Sequence, residues 1–140
     1  MMLDKQAKKE ILNMIEEAEK LTTGEIRVHI KSKCKENVFE EAKKIFHKLK
    51  MYKTKERNAV LIFIALNSRK FAILGDKGIH EKVKNEFWNE TRDIMHEYFT
   101  KNQIKEGIIL AVKNVGEKLT RYFPEEKDNK NELSNEVTED

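Results

Sequence analysis

With 140 residues, 39% of them hydrophobic, the chain is long enough to bury one core and too short for two, so a single domain is expected. Its charged start, MMLDKQAKKE, leads into no uninterrupted apolar stretch, which gives no sign of a membrane span or a secretion signal and makes the cytoplasm the expected compartment. The net charge of +3 is unevenly divided: residues 124–140 carry seven acids and two lysines, a net −5, leaving +8 on residues 1–123, yet the lysines there are scattered without interleaved aromatics, so nucleic-acid binding is not expected.

Leu3, Ala7, Ile11, Met14, Ile15, Ala18 and Leu21 recur at helical spacing, and Thr22-Thr23-Gly24 ends this first helix. EIRVHIKS then alternates, with Ile26, Val28 and Ile30 on one face and Arg27, His29 and Lys31 on the other. That pattern predicts a strand with one wet face at a sheet edge. Cys34 lies between two lysines, cannot form an intramolecular disulfide and is expected as an incidental surface thiol. Val38, Phe39, Ala42, Ile45, Phe46 and Leu49 return to the helical period. AVLIFIAL (residues 59–66) is apolar on both faces, as a central strand covered on both sides should be, and Asn67-Ser68 turns it into RKFAILG as an antiparallel hairpin. Two amphipathic helices follow, one using Ile79, Val83, Phe87, Met95 and Phe99, the other Ile104, Ile108, Val112, Val115 and Leu119. Trp88 is expected in the core. From Pro124 onward apolar residues are too few to offset the entropy of ordering, so residues 124–140 are expected to be an acidic disordered tail after a domain at 1–123.

The order helix, strand, helix, strand, strand, helix, helix predicts an α/β layered domain in which the first two strands are parallel through a right-handed crossover. The entry ends of those strands and the exit of the third then share one edge of the sheet. Three loops converge there: residues 22–25, 54–58 and 75–78. In Gly75-Asp76-Lys77-Gly78, Asp76 can cap the helix that follows while the glycines supply backbone freedom. The alternative is that Asp76, Glu56 and Glu25 gather their oxygens around a hard cation, Ca²⁺ in preference to Mg²⁺. Lys55, Arg57 and Lys77 in the same loops could instead neutralise those acids as ion pairs.

Other chemistry is absent from the sequence. GDKG lacks the GxxxxGK[ST] spacing of a nucleotide cradle, no histidine pair among His29, His47, His80 and His96 has zinc spacing, and no GxSxG occurs. His80 is expected to be a solvated helix residue.

These segments resemble the TPM domain family, named for a thylakoid-lumen phosphatase, a photosystem II repair protein and a modulator of acetylcholine receptors. The resemblance rests on Thr23-Gly24-Glu25-Ile26-Arg27-Val28, on Thr54 with residues 57–62 (RNAVLI), and on residues 69–79 (RKFAILGDKGI). It continues in Phe87-Trp88, Gly107-Ile108, Val115-Gly116 and Phe123-Pro124, covering about residues 8–124 in order. It implies a three-layer α/β/α sandwich around a small mixed β-sheet, divalent cations, chiefly calcium, near the acidic loops, and acid phosphatase activity in some members. Many members have an Asp directly before the apolar second strand, where this chain has Glu56-Arg57-Asn58, and many carry a signal peptide and an anchor; neither is expected here, where the resemblance is to a short soluble bacterial form.

The expected function is therefore a monomeric TPM-type module that binds a divalent cation at the loop edge and meets a protein partner. The rival is a metal-dependent phosphatase acting on phosphomonoesters, with Arg57 and Asp76 as its candidate catalytic residues. The sequence names no nucleophile for that rival.

Overall fold

The computed structural model describes residues 3–125 and 137–139. Asp4 accepts a hydrogen bond from the Ala7 N–H at 2.7 Å and so caps α1 (Lys5–Glu19), whose Ala7, Ile11 and Ile15 are buried as their spacing predicts. Leu21, expected on the same stripe, is 59% exposed, because the helix stops at Glu19 and its period no longer sets the direction of later side chains.

β1 (Glu25–Lys31) pairs in parallel with β2 (Ala59–Ala65), Glu25 opposite Ala59 and Lys31 opposite Ala65. The connection carries α2 (Val38–Lys48), capped by the Asn37 side chain on the N–H groups of Phe39 and Glu40, and a single 3₁₀ turn at Met51–Lys53. Residues 66–69 then turn the chain into antiparallel β3 (Lys70–Gly75), which brings Gly75 opposite Val60. After β3 come α3 (Lys77–His80), a second 3₁₀ turn (Asn85–Trp88), α4 (Asn89–Thr100) and α5 (Ile104–Tyr122). With β4 (Val137–Glu139) the sheet order is β3-β2-β1-β4.

Two cores form because β2 is buried on both faces, as its unbroken apolar run predicts. Val60, Ile62 and Ile64, with Ile26, Val28 and Ile30 of β1, pack against α1, α4 and α5 through Ile11, Ile15, Met95 and Ile108. Leu61 and Phe63 face the other way and pack beneath α2 on Ala42, Ile45 and Phe46. This is the expected α/β/α sandwich. Trp88 is in the first core, as expected. Among the described residues no helix is long and apolar enough to cross a membrane.

Four expectations change. β1 is not an edge strand: β4 lies beside it, Val137 opposite Val28 and Thr138 opposite His29, and Arg27 and His29 are buried on the face expected to be wet, the face on which α2 packs. Residues 137–139, expected in the disordered tail, form β4, since local composition cannot register a long-range pairing partner; residues 126–136 and 140 of that tail lie outside the described residues. The single helix expected from Ile79 to Phe99 is three pieces. The Trp88 ring seats against Gly75, where a Cβ would stand 2.8 Å from its Cζ2, at the end of the 3₁₀ turn that interrupts the helical run. Cys34 is buried rather than on the surface: its thiol donates to the Glu36 carbonyl at 3.3 Å, and its N–H donates to the Ser68 hydroxyl.

Candidate functional site at the loop edge

The expected convergence is present. Asp76 N–H donates to the Ala59 carbonyl at 3.0 Å, and Gly78 N–H donates to the Arg57 carbonyl at 2.9 Å, tying the exit of β3 to the entry of β2. Gly78 is required for space: a Cβ there would lie 2.1 Å from the Glu56 carbonyl oxygen and 2.6 Å from that of Arg57. No glycine of the described residues has a positive φ, so the backbone freedom expected of Gly75 and Gly78 is not used; the left-handed residue of this edge is Arg57, at φ 53°.

That backbone aims the Arg57 side chain at Asp76. Nε donates to Oδ2 at 2.7 Å and Nη2 donates to Oδ1 at 3.0 Å, a two-pronged ion pair. Asp76 also caps α3, its Oδ1 accepting from the Lys77 N–H at 2.8 Å. Both carboxylate oxygens are thus engaged, and the Asp76 side chain is 7% exposed against 36% for Arg57. Hydrogen bonding to Asp76 pushes the Arg57 guanidinium above its already high pKa, against a smaller opposing effect of burial.

Glu56 faces the other way. It is exposed, and its Oε2 accepts from the Thr23 hydroxyl. Asn58 Nδ2 donates to Thr23 Oγ1 at 3.1 Å and to Glu56 Oε2 at 3.5 Å. Asn58 is itself held by Thr54, whose hydroxyl accepts the Asn58 N–H at 3.2 Å. Glu25 is buried at the first position of β1, opposite Ala59.

Of the three acids expected to share a cation, the fold thus brings Glu56 to Thr23 and Asn58, Asp76 to Arg57, and Glu25 into the strand. Among the described residues no three His, Cys, Asp or Glu side chains come together in a way that could hold a metal ion. A three-carboxylate centre does not fit this arrangement. What the edge does gather is the Glu56 carboxylate and the Thr23 hydroxyl, with the Asn58 carboxamide turned nitrogen-first towards both. Sequence reading missed Thr23 and Asn58 as members of this cluster; the signal was there, a hydroxyl two residues before β1 and a carboxamide immediately before β2. Thr22 was missed as well. Its buried hydroxyl donates to the Phe123 carbonyl and accepts the Gly24 N–H at 3.0 Å, pinning the first loop to the end of α5.

Beside the edge, on the α2 side, Lys43, His47, Tyr52 and Arg57 line a shallow groove that reaches Asp76. The His47 and Tyr52 rings stack there with centroids 5.0 Å apart. His80 is exposed on α3, as expected.

The TPM domain profile matches residues 1–118. A solved structure, the NMR structure of the BA42 protein from the psychrophilic bacterium Bizionia argentinensis, is 38% identical, with a TM-score of 0.94 over 100% of this chain and 97% of that one. No curated protein matches the chain. The fold, its converging loops and these matches agree: the chain belongs to the TPM domain family.

Proposed function

We propose that the loop edge is a recognition surface that binds a divalent cation weakly, Ca²⁺ in preference to Mg²⁺, and that a protein partner reads the cation-bound form. The observation that supports this is the meeting of the Glu56 carboxylate and the Thr23 hydroxyl, contributed by the loops that enter β2 and β1; Asn58, whose Nδ2 donates to both, would join as an oxygen ligand by turning its carboxamide over. Hard cations take such ligands, Ca²⁺ tolerates irregular geometry that Mg²⁺ does not, and a single carboxylate gives low affinity. Asp76 becomes a ligand only by releasing Arg57, so it is a second-step contributor. Glu25 adds negative charge at the foot of β1. The setting of this reading is a cytoplasmic monomer.

Backbone NMR during a calcium titration tests it. Amides of Thr23 and of residues 56–58 are expected to shift most, and Glu56→Gln to abolish the response. Shifts confined to residues 125–140, or an unchanged response in Glu56→Gln, would overturn it.

A second reading, metal-dependent hydrolysis of a phosphomonoester, is supported by the groove in which Lys43, His47 and Arg57 stand beside Asp76. Lys43 and Arg57 would hold a phosphate dianion with the His47 imidazole beside it, and Arg57 would stabilise charge developing on its oxygens, while a bound metal would supply Lewis acidity. Release of p-nitrophenol from its phosphate ester is expected to fall in Arg57→Gln and in chelator. Full activity under either condition, or none in the unmodified protein, removes this reading.

A further inference from the structure

At the opposite end of the sheet from the loop edge, the β2–β3 hairpin, the last turn of α4 and the first residue of α5 enclose a cavity of about 260 Å³. Its floor is apolar: Ile64, Phe71, Phe99 and Ile104, with the two phenyl rings edge to face at 5.5 Å. Its rim carries Arg69 and Lys70 together with the His96 imidazole, and among the described residues no acidic side chain lines it. The ion pairs found among the described residues engage lysines elsewhere, Lys8, Lys31, Lys43, Lys44, Lys101 and Lys105 among them, and none engages Arg69, Lys70 or His96.

Those side chains are not needed to finish α4. Asn102, left-handed at φ 57°, ends the helix: its N–H donates to the Phe99 carbonyl at 3.1 Å and the Gln103 N–H donates to the Tyr98 carbonyl at 2.8 Å. The rim charge is therefore unassigned by the fold itself. Ligand sites combine an apolar body with a few convergent polar groups, and this volume falls just below their usual range of about 300–1,000 Å³, which suits a small ligand.

We propose that this cavity binds a small amphipathic carboxylate, its apolar body on Phe71 and Phe99 and its carboxylate among Arg69, Lys70 and His96. Two cationic side chains on a hairpin turn and an imidazole on α4 approach the mouth from different elements, a placement that matches a carboxylate and opposes an amine. The site is separate from the loop edge and independent of any cation there.

The test is a backbone NMR titration of the full chain with hexanoate, hexan-1-ol and acetate. Hexanoate is expected to give saturable shifts at residues 64–71 and 96–104. Hexan-1-ol lacks the charge and acetate lacks the body, so each is expected to bind about tenfold or more weakly. Arg69→Gln and Lys70→Gln alter exposed side chains and should fold normally; each is expected to weaken hexanoate severalfold while leaving hexan-1-ol unchanged. Absence of saturable shifts in that region, equal binding of hexanoate and hexan-1-ol, or full hexanoate affinity in both variants would overturn the proposal.

Discussion

Arg57 grips Asp76 with both prongs of its guanidinium, across the loops that enter β2 and leave β3, from a backbone held at φ 53°. Asp76 thereby carries two duties, capping α3 and neutralising Arg57, and substitutions separate them. Asp76→Asn keeps an oxygen for the Lys77 N–H but loses the charge, at an expected cost of about 1 kcal/mol; Asp76→Ala loses both, at about 2 kcal/mol. Arg57→Ala leaves a largely buried carboxylate short of donors, at about 1–3 kcal/mol. Chemical denaturation of the single variants and of the Arg57→Ala/Asp76→Ala double variant would read the coupling. Additive losses would show that the pair contributes nothing as a pair.

Gly78 is where two loops touch backbone to backbone. The obstacle to a side chain there is a pair of carbonyl groups, not a flexible side chain, so relief requires the loop at residues 56–58 to move. Gly78→Ala is expected to cost about 1–3 kcal/mol, a fall in Tm of roughly 2–4 °C per kcal/mol, and to shift the amides of Glu56 to Asn58. A neutral Gly78→Ala, with those amides unmoved, would contradict the close approach.

β4 protects the outer edge of β1. Thr138 contacts His29 Nδ1 and donates to the Val28 carbonyl at 3.3 Å, and Glu139 pairs with Lys8 of α1. Ile26 N–H points away from β2 and donates to the Glu19 carboxylate at 2.7 Å, so strand alternation directs the N–H groups of Val28 and Ile30 towards β4. Thr138→Pro removes a ladder donor and is expected to speed amide exchange at Val28 and Ile30 while Ile26 stays protected. Equal acceleration at all three, or none, would contradict this division of the edge.

Acid weakens a surface pair on the approach to α2. Lys44 donates to Glu36 at 2.9 Å, and that hydrogen bond, followed by the attraction of the same ammonium, holds the Glu36 pKa below its ordinary value. A carboxyl whose folded pKa is lowered contributes stability that is present above the unfolded value and is lost as pH falls through the folded value. Both side chains are exposed, so the effect is small. The Tm difference between the unmodified protein and Glu36→Gln is expected to shrink between neutral pH and about pH 3. A difference that grows on acidification would reverse the sign argued here.

Much of this protein was legible in its sequence because the informative signals were local. The period of Ala7, Ile11 and Ile15, the two-faced run of β2 and the hairpin at Asn67 each depend on neighbours a few residues away, and the order of elements then dictated which loops share an edge. Tertiary structure alone decided the rest. Whether Asp76 faces a cation or Arg57 depends on one left-handed residue 19 positions earlier in the chain, and no pattern in GDKG reports it. The setting of His29 depends on Thr138, more than a hundred residues away, and the break between α3 and α4 accompanies the seating of the Trp88 ring on Gly75. Pairing and packing partners brought together by the fold leave no trace in local composition, and the partner of each acidic side chain at the loop edge is a contact of that kind.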